Sequence, residues 1–272
     1  MSGAWYDKVH RHVNFEKQLL RKVGQAIGDY AMIRDGDRIA VGVSGGKDSL
    51  AMVEALRLLQ QRSPIGFELQ AFTIEQGKFV RPVEPLGDFF AARNIPWTYY
   101  RDDASFELLE EQPDHGCDLC SRYRRRAVYD VAAQLGANVV ALGHTADDLC
   151  EAVLRNMMFT GRLSALPPTI RSRAGDFRLI RPMVYVSEEI TTGYAAAEGL
   201  PVTPCVCSHK TGTVRETIRA FLSGMRNDHP HVLDNMVSAM RRIEVGRLLD
   251  RRFLDLDSPA AELPPVLAED VL

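Results

Sequence analysis

The residues with the most definite chemistry in this chain form the hexapeptide Ser44-Gly45-Gly46-Lys47-Asp48-Ser49. Glycines let backbone N–H groups come close to phosphate oxygens, and a helix starting at such a loop adds positive potential at its N-terminus. Lys47 brings a full positive charge, and Ser44 and Ser49 bring hydroxyl donors. The spacing is not that of the G-x-x-x-x-G-K-S/T loop, since the residues between its glycines are missing. A tight strand-to-helix turn with a capping serine is the plainer alternative. The complete hexapeptide between a strand and a helix argues against it.

Sulfur supplies a second constellation. Cys117 and Cys120 form C-x-x-C, Cys205 and Cys207 form C-x-C, and Cys150 stands alone. Thiolates one helical turn apart can ligate one metal centre. A third thiolate from Cys205 or Cys207 would hold a four-iron cluster and leave one iron open. Zinc competes, with both of those cysteines ligating or with His115 or His209 as a fourth ligand, and an ordinary buried or redox-active pair also matches C-x-x-C. Asp147-Asp148 follows Gly143-His144. Carboxylates there suit Mg²⁺, or they match the helix macrodipole; Asp148 is the metal or nucleotide candidate. His144 is a candidate contact to nucleotide or substrate, and Cys150, on an apolar helix face, reads as packing.

These groups need a scaffold that brings them together. Apolar positions at helical spacing predict an entry helix over 14–30. Residues 38–43 read as a buried strand, the glycine loop follows, and 48–60 resume helical periodicity. The alternation continues with strands at 67–74, 97–100 and 138–142, and helices at 83–93, 121–135 and 146–158. Such alternation predicts an α/β fold, an open parallel sheet with helices on both faces, whose ligands sit beyond the carboxyl ends of the strands. The glycine loop and Gly143-His144 both fall there. After Pro167-Pro168 the pattern weakens: an edge strand at 178–182, then helices at 188–198, 214–225 and 232–249, form a helical C-terminal extension. The expected division is an N-terminal helical segment (1–34), a nucleotide-binding domain (35–186), a helical C-terminal part (187–257) and a loose tail (258–272).

The 272 residues bury a sizeable core without staples. A net charge of −3 argues against whole-surface binding of nucleic acid and permits a local basic patch. The five cysteines do not suit a disulfide framework in a chain with neither a signal peptide nor an apolar run of spanning length. Cytoplasmic residence without a membrane is the expectation. Arg122, Arg124, Arg125 and Arg126 wrap around the helix after the first cysteines, and Arg155 and Arg162 follow the acidic pair. Guanidinium forks match phosphate geometry, with a solvated helix face as the alternative for about half of them.

The hexapeptide resembles the PP-loop of the ATP pyrophosphatases, which have the adenine nucleotide α-hydrolase-like fold. From about residue 15 to 245 the chain resembles the tRNA 2-thiocytidine synthetase (TtcA-like) family. It shares S-G-G-K-D-S, C-x-L-C-S-R-x-R-R at 117–125, A-L-G-H-x-x-D-D at 141–148, N-M-x-x-x-G at 156–161 and Pro204-Cys205. The resemblance implies that residues 44–49 bind the diphosphate of ATP and that Thr73 and its neighbours contact adenine. Gly143, His144 and Asp148 would complete the nucleotide site. It implies a [4Fe-4S] cluster on Cys117, Cys120 and Cys205, with Cys207 as the alternative third ligand. It further implies Mg²⁺, tRNA as substrate, a cysteine desulfurase or sulfide as sulfur donor, and a homodimer. The implied reaction adenylates a base carbonyl, that at C2 of a cytidine, and replaces its oxygen with sulfur. Lys47, Asp48 and the three cysteines are then the catalytic set. Two departures stand out. Pro204-Cys205-Val206-Cys207-Ser208 replaces P-C-x-x-C-G, and Gly143-His144-Thr145-Ala146 replaces Gly-His-His-Arg. They leave open a thiolase or ligase for another base or a small molecule.

Overall fold

A computed structural model describes residues 3–77, 79, 82–112, 117–172, 177–203 and 213–252. In chain order the elements are α1 (Gly3–Asp29), β1 (Asp37–Gly42), α2 (Lys47–Gln60), β2 (Phe67–Glu75), α3 (Glu84–Ala91) and β3 (Trp97–Arg101). Then come α4 (Asp103–Glu111), α5 (Cys117–Gln134), β4 (Val139–Leu142), α6 (Ala146–Thr160), β5 (Thr169–Arg171) and β6 (Arg178–Ile180). Helices α7 (Glu188–Glu198), α8 (Val214–Asp228) and α9 (Val232–Arg241) follow, with a 3₁₀ turn at Val245–Arg247.

The short apolar runs are the strands of a single sheet ordered β3-β2-β1-β4-β6-β5. All neighbours are parallel except β5, which runs antiparallel to β6. Ile39, Ala40 and Val41 of the central β1 are buried on both faces, as a parallel strand covered by helices requires. On one face Ile39 and Val41 pack against Leu19 and Val23 of α1, Leu50 and Val53 of α2, and Ile190 and Tyr194 of α7. On the other, Ala40, Phe72 and Val140 pack against Val128, Val131 and Ala132 of α5. A third cluster joins Cys150 of α6 to Ile218, Leu222 and Leu233 of α8 and α9, so Cys150 is a packing residue.

Several expectations need correction. The entry helix begins at Gly3, well before residue 14. The chain carries an additional helix, α4, too short to show a periodicity of its own. Strand β6 is internal, because the unanticipated β5 covers it as the edge. The helix expected over 232–249 stops at Arg241, ahead of the β-branched Ile243 and Val245 and of Gly246. Helix α7, expected in a separate C-terminal part, and α1, expected as a separate segment, both belong to the main core. Their contact is close: a Cβ on Gly193 would lie 2.4 Å from the Phe15 ring. Residues 258–272, expected as a loose tail, lie outside the described residues. Among the described residues no helix is long and apolar enough to cross a membrane.

The parallel register gives the sheet two unlike edges. At the amino ends, buried Asp37 accepts from Arg178 (2.6 Å), Asn138 Nδ2 (2.8 Å) and the Arg34 N–H (2.7 Å), stitching the starts of β1, β4 and β6. At the carboxyl ends begin α2 and α6, and with them the glycine loop and the acidic pair. Removing one partner of a buried, hydrogen-bonded ion pair leaves the rest uncompensated. Asp37→Ala should therefore cost roughly 3–5 kcal/mol of stability, read as a lowered urea midpoint, with no direct change in the nucleotide site.

Candidate active site

The phosphate loop is shaped by its own side chains. Ser49 Oγ donates to Gly46 O at 2.8 Å and accepts from the Ser44 N–H at 3.2 Å, closing the turn onto the first residues of α2. Gly45 has φ +79°, and a Cβ there would sit 2.6 Å from Thr203 O and 3.0 Å from the Phe79 ring. The position is closed to a side chain on both grounds. Gly45 O accepts from the Thr203 N–H at 2.8 Å, so the segment just before Pro204-Cys205 is seated on the loop. Opposite, Gly143 presses on the loop's helix: a Cβ there would meet Ser49 N at 3.2 Å. The sequence features at 44–49 and 143–144 thus share one site, as expected from the strand ends.

Lys47 Nζ lies 3.0 Å from Asp48 and 3.5 Å from Glu188 Oε2. Thr191 Oγ1 donates to Asp48, so the first turn of α7 buttresses the loop. From Glu188 the charges continue: Arg219 at 3.2 Å, then Glu151 at 2.6 Å, Arg215 at 2.7 Å and Asp148 at 2.6 Å. Asp147 accepts from the Glu188 N–H at 2.8 Å and pairs with Arg226 at 2.7 Å. Three arginines of α8 therefore fasten it to carboxylates at the start of α6 and α7. Burial raises the Glu188 carboxyl pKa, opposed by Lys47 and Arg219.

Asp148 forms a capping box with Thr145, taking its N–H (3.0 Å) and hydroxyl (3.2 Å) on one oxygen and Arg215 on the other. The carboxylate thus caps α6 and at the same time ties it to α8. Thr73, at the end of β2, is fully buried and accepts from Trp97 Nε1 at 3.1 Å. His144 sits with Nδ1 buried and without a hydrogen-bond partner among the described residues. Nearby Arg181, itself buried, has its Nε in the same condition. Burial first, then Arg181 and Arg215, lower the His144 pKa to about 4, against the pull of Asp148.

The cysteines are placed by topology. Helix α5 carries the chain back from the carboxyl edge of the sheet, so Cys117 and Cys120 occupy its first turn at that edge. Cys120 is buried, and one turn on Arg124 Nε donates to Gln76, just past the end of β2, at 3.1 Å. Cys205 and Cys207 lie outside the described residues, but both flanks of their segment are anchored, at Thr203 on Gly45 and at Arg215 on Asp148. Among the described residues no three metal-binding side chains converge. Arg122, Arg124, Arg125, Arg126, Arg155 and Arg162 are all exposed. Glu188, Thr191, Thr203, Arg181 and the α8 arginines were missed by sequence reasoning. Arg215, Arg219 and Arg226 recur on one helix face, which was the available signal for the last group.

No family model matches the chain. It is 38% identical over 244 residues to the tRNA-cytidine(32) 2-sulfurtransferase of Polynucleobacter asymbioticus, covering 88% of this chain and 80% of that protein. It is equally identical to the Deinococcus radiodurans enzyme of the same name, covering 88% and 81%. Among solved structures it resembles the U34-tRNA thiolase NcsA from Methanococcus maripaludis with its [4Fe-4S] cluster. The TM-score is 0.66 with 20% identity, over 84% of this chain and 78% of that one. At that identity the likeness concerns the fold.

Gly45→Ala should lower nucleotide turnover by roughly 100-fold or more, the scale on which lost backbone donors act, as measured by AMP release. His144 makes a second prediction. The unfolded chain takes up its imidazole proton near 6.5, the folded chain only near 4. Stability therefore falls as pH drops from about 6.5 toward 4 and is unaffected by this group above that window. His144→Asn should flatten the decline in urea midpoint between pH 6.5 and 4.5.

Proposed function

Because the chain belongs to the tRNA-cytidine(32) 2-sulfurtransferase family, we propose that it uses ATP to replace the C2 oxygen of cytidine 32 in tRNA with sulfur. The observation that carries this reading is the seating of Thr203, next to Pro204-Cys205, on the phosphate loop at Gly45. It joins the nucleotide site to the cysteine segment.

ATP places its diphosphate in the 44–49 loop, against backbone N–H groups and the N-terminus of α2. The C2 oxygen of cytidine attacks the α-phosphorus, the bond to the β-phosphate oxygen breaks, and pyrophosphate departs. Lys47 and the loop N–H groups stabilise charge gathering on pyrophosphate. Sulfide then adds at C2, the C–O bond breaks, and AMP leaves. Cys117 and Cys120, thiols one turn apart with Cys120 buried, fit a [4Fe-4S] cluster completed by Cys205 or Cys207; when bound, it supplies an open iron for sulfide. Asp48 and Glu188, the carboxylates facing the loop cation, and Asp148 at the start of α6 are the oxygen donors that fit Mg²⁺. The exposed arginines of α5 and of the α6 end take tRNA phosphates. A cysteine desulfurase or free sulfide as donor, a homodimer and a cytoplasmic location belong to the same reading.

Ser44→Ala and Cys117→Ala separate the two halves of the reaction. In protein purified without oxygen, the first should lower AMP release by about 10–100-fold and retain iron. The second should lose iron and thiolation while still releasing AMP with tRNA present. Thiolation at the wild-type rate by the Cys117 variant would overturn the role of the cysteines.

A further inference from the structure

Helix α6 ends in a surface that the reaction does not use. Gly161 closes the helix at φ +61°, and Asn156 holds the chain beyond it. Its carbonyl accepts from the Arg162 N–H at 3.1 Å, and its Nδ2 donates to Ser164 O at 2.8 Å. The turn so fixed displays Met157, Met158, Phe159 and Leu163, each 50–61% exposed. Beside them, between α6, the 161–168 segment and α9, runs an apolar groove of about 720 Å³. Its floor includes Leu149, Val153, Val184, Met236 and Met240. Pro167 and Pro168, which line the groove, accept through their carbonyls from Arg181 Nη1 and the Arg181 N–H.

Positive charge surrounds this apolar surface. Arg241, Arg242 and Arg247 line the groove, and Arg155 and Arg162 stand exposed at its lip. Glu244, the acid among the groove's lining residues, is paired with Arg247 at 2.7 Å. A second copy of the chain joined through the same face would oppose these arginines to themselves. A polyanion with apolar faces suits both properties.

Resting on the proposed activity, the chemistry narrows the occupant. A cytidine whose C2 oxygen attacks phosphorus cannot be held in a base pair, so the substrate presents unpaired nucleotides. Such nucleotides are bound by stacking on exposed apolar and aromatic side chains beside a basic track. We propose that the α6–α9 groove and its Met157–Leu163 lip receive unpaired loop nucleotides of tRNA adjoining the target cytidine. Phe159 and Met158 lie against base faces, and the flanking arginines take the intervening phosphates. Asn156 is then a positioning residue that fixes the lip.

The test is tRNA affinity at fixed salt for Phe159→Ala and Leu163→Glu, with a duplex RNA of equal length as the comparison probe. Both side chains are exposed, so folding is not at stake, and melting temperature checks it. Each variant should bind tRNA about 10-fold more weakly, the scale of one lost base–aromatic stack. Duplex binding, ATP affinity and sedimentation should match wild type. Affinity for tRNA within twofold of wild type would overturn the proposal, and so would a variant that loses affinity only by changing from dimer to monomer. If the wild-type chain itself neither binds nor thiolates tRNA, the proposed function fails first.

Discussion

Backbone-to-backbone contact around the phosphate loop is the constraint on which the rest of the site depends. Gly45 meets Thr203 and Gly143 meets Ser49 with no room for a Cβ between them. Three distant stretches of chain are thereby held at hydrogen-bonding or van der Waals distance. Any side chain at those two glycines would wedge the loop away from the strand end, from the cysteine segment, or from both. Donors that must meet phosphate oxygens need this fixed spacing, because their electrostatic value lies in not having to reorganise.

Charge pairing carries that geometry outward. The alternation from Lys47 through Glu188, Arg219, Glu151 and Arg215 to Asp148 spans four helices, α2, α7, α8 and α6. Exposed pairs of this kind contribute little individually, but Glu151 and Asp147 are buried and each has arginine partners. Their desolvation makes the partners obligatory. Helix α8 adds only Ile218 and Leu222 to an apolar cluster, so its seat relies on these pairs as well. The segment bearing Cys205 and Cys207 consequently runs between two fixed points, one on the loop and one on α6.

What the sequence made legible follows from which interactions are local. The loop, the first-turn cysteines of α5 and the four principal strand–helix alternations depend on periodicity and glycine spacing within a few residues. Strand β5, at three residues, has no periodicity to detect and exists because β6 offers it an edge. The hydrogen bond from Trp97 to Thr73 was not legible because the two residues sit on neighbouring strands, 24 residues apart. The pairing of Asp148 was not legible because its partner, Arg215, lies 67 residues away. The α7 residues at the loop were invisible for the same reason: nothing near Glu188 in sequence announces Lys47.

The electrostatics of the loop also explain why a lysine alone does not make this site bind phosphate. Lys47 faces two carboxylates, Asp48 and Glu188, within 3.5 Å. Arg219 in turn lies 3.2 Å from Glu188, so the side-chain charges around the loop cancel and free phosphate gains little from them. Attraction must come from the backbone N–H groups of residues 45–47 and the N-terminus of α2, whose field is not cancelled. A nucleotide accompanied by a divalent cation meets the opposite situation, since the two carboxylates then have a charge to receive. Glu188, which takes part in this balance through Lys47 and Arg219, lies far from the signature hexapeptide in sequence.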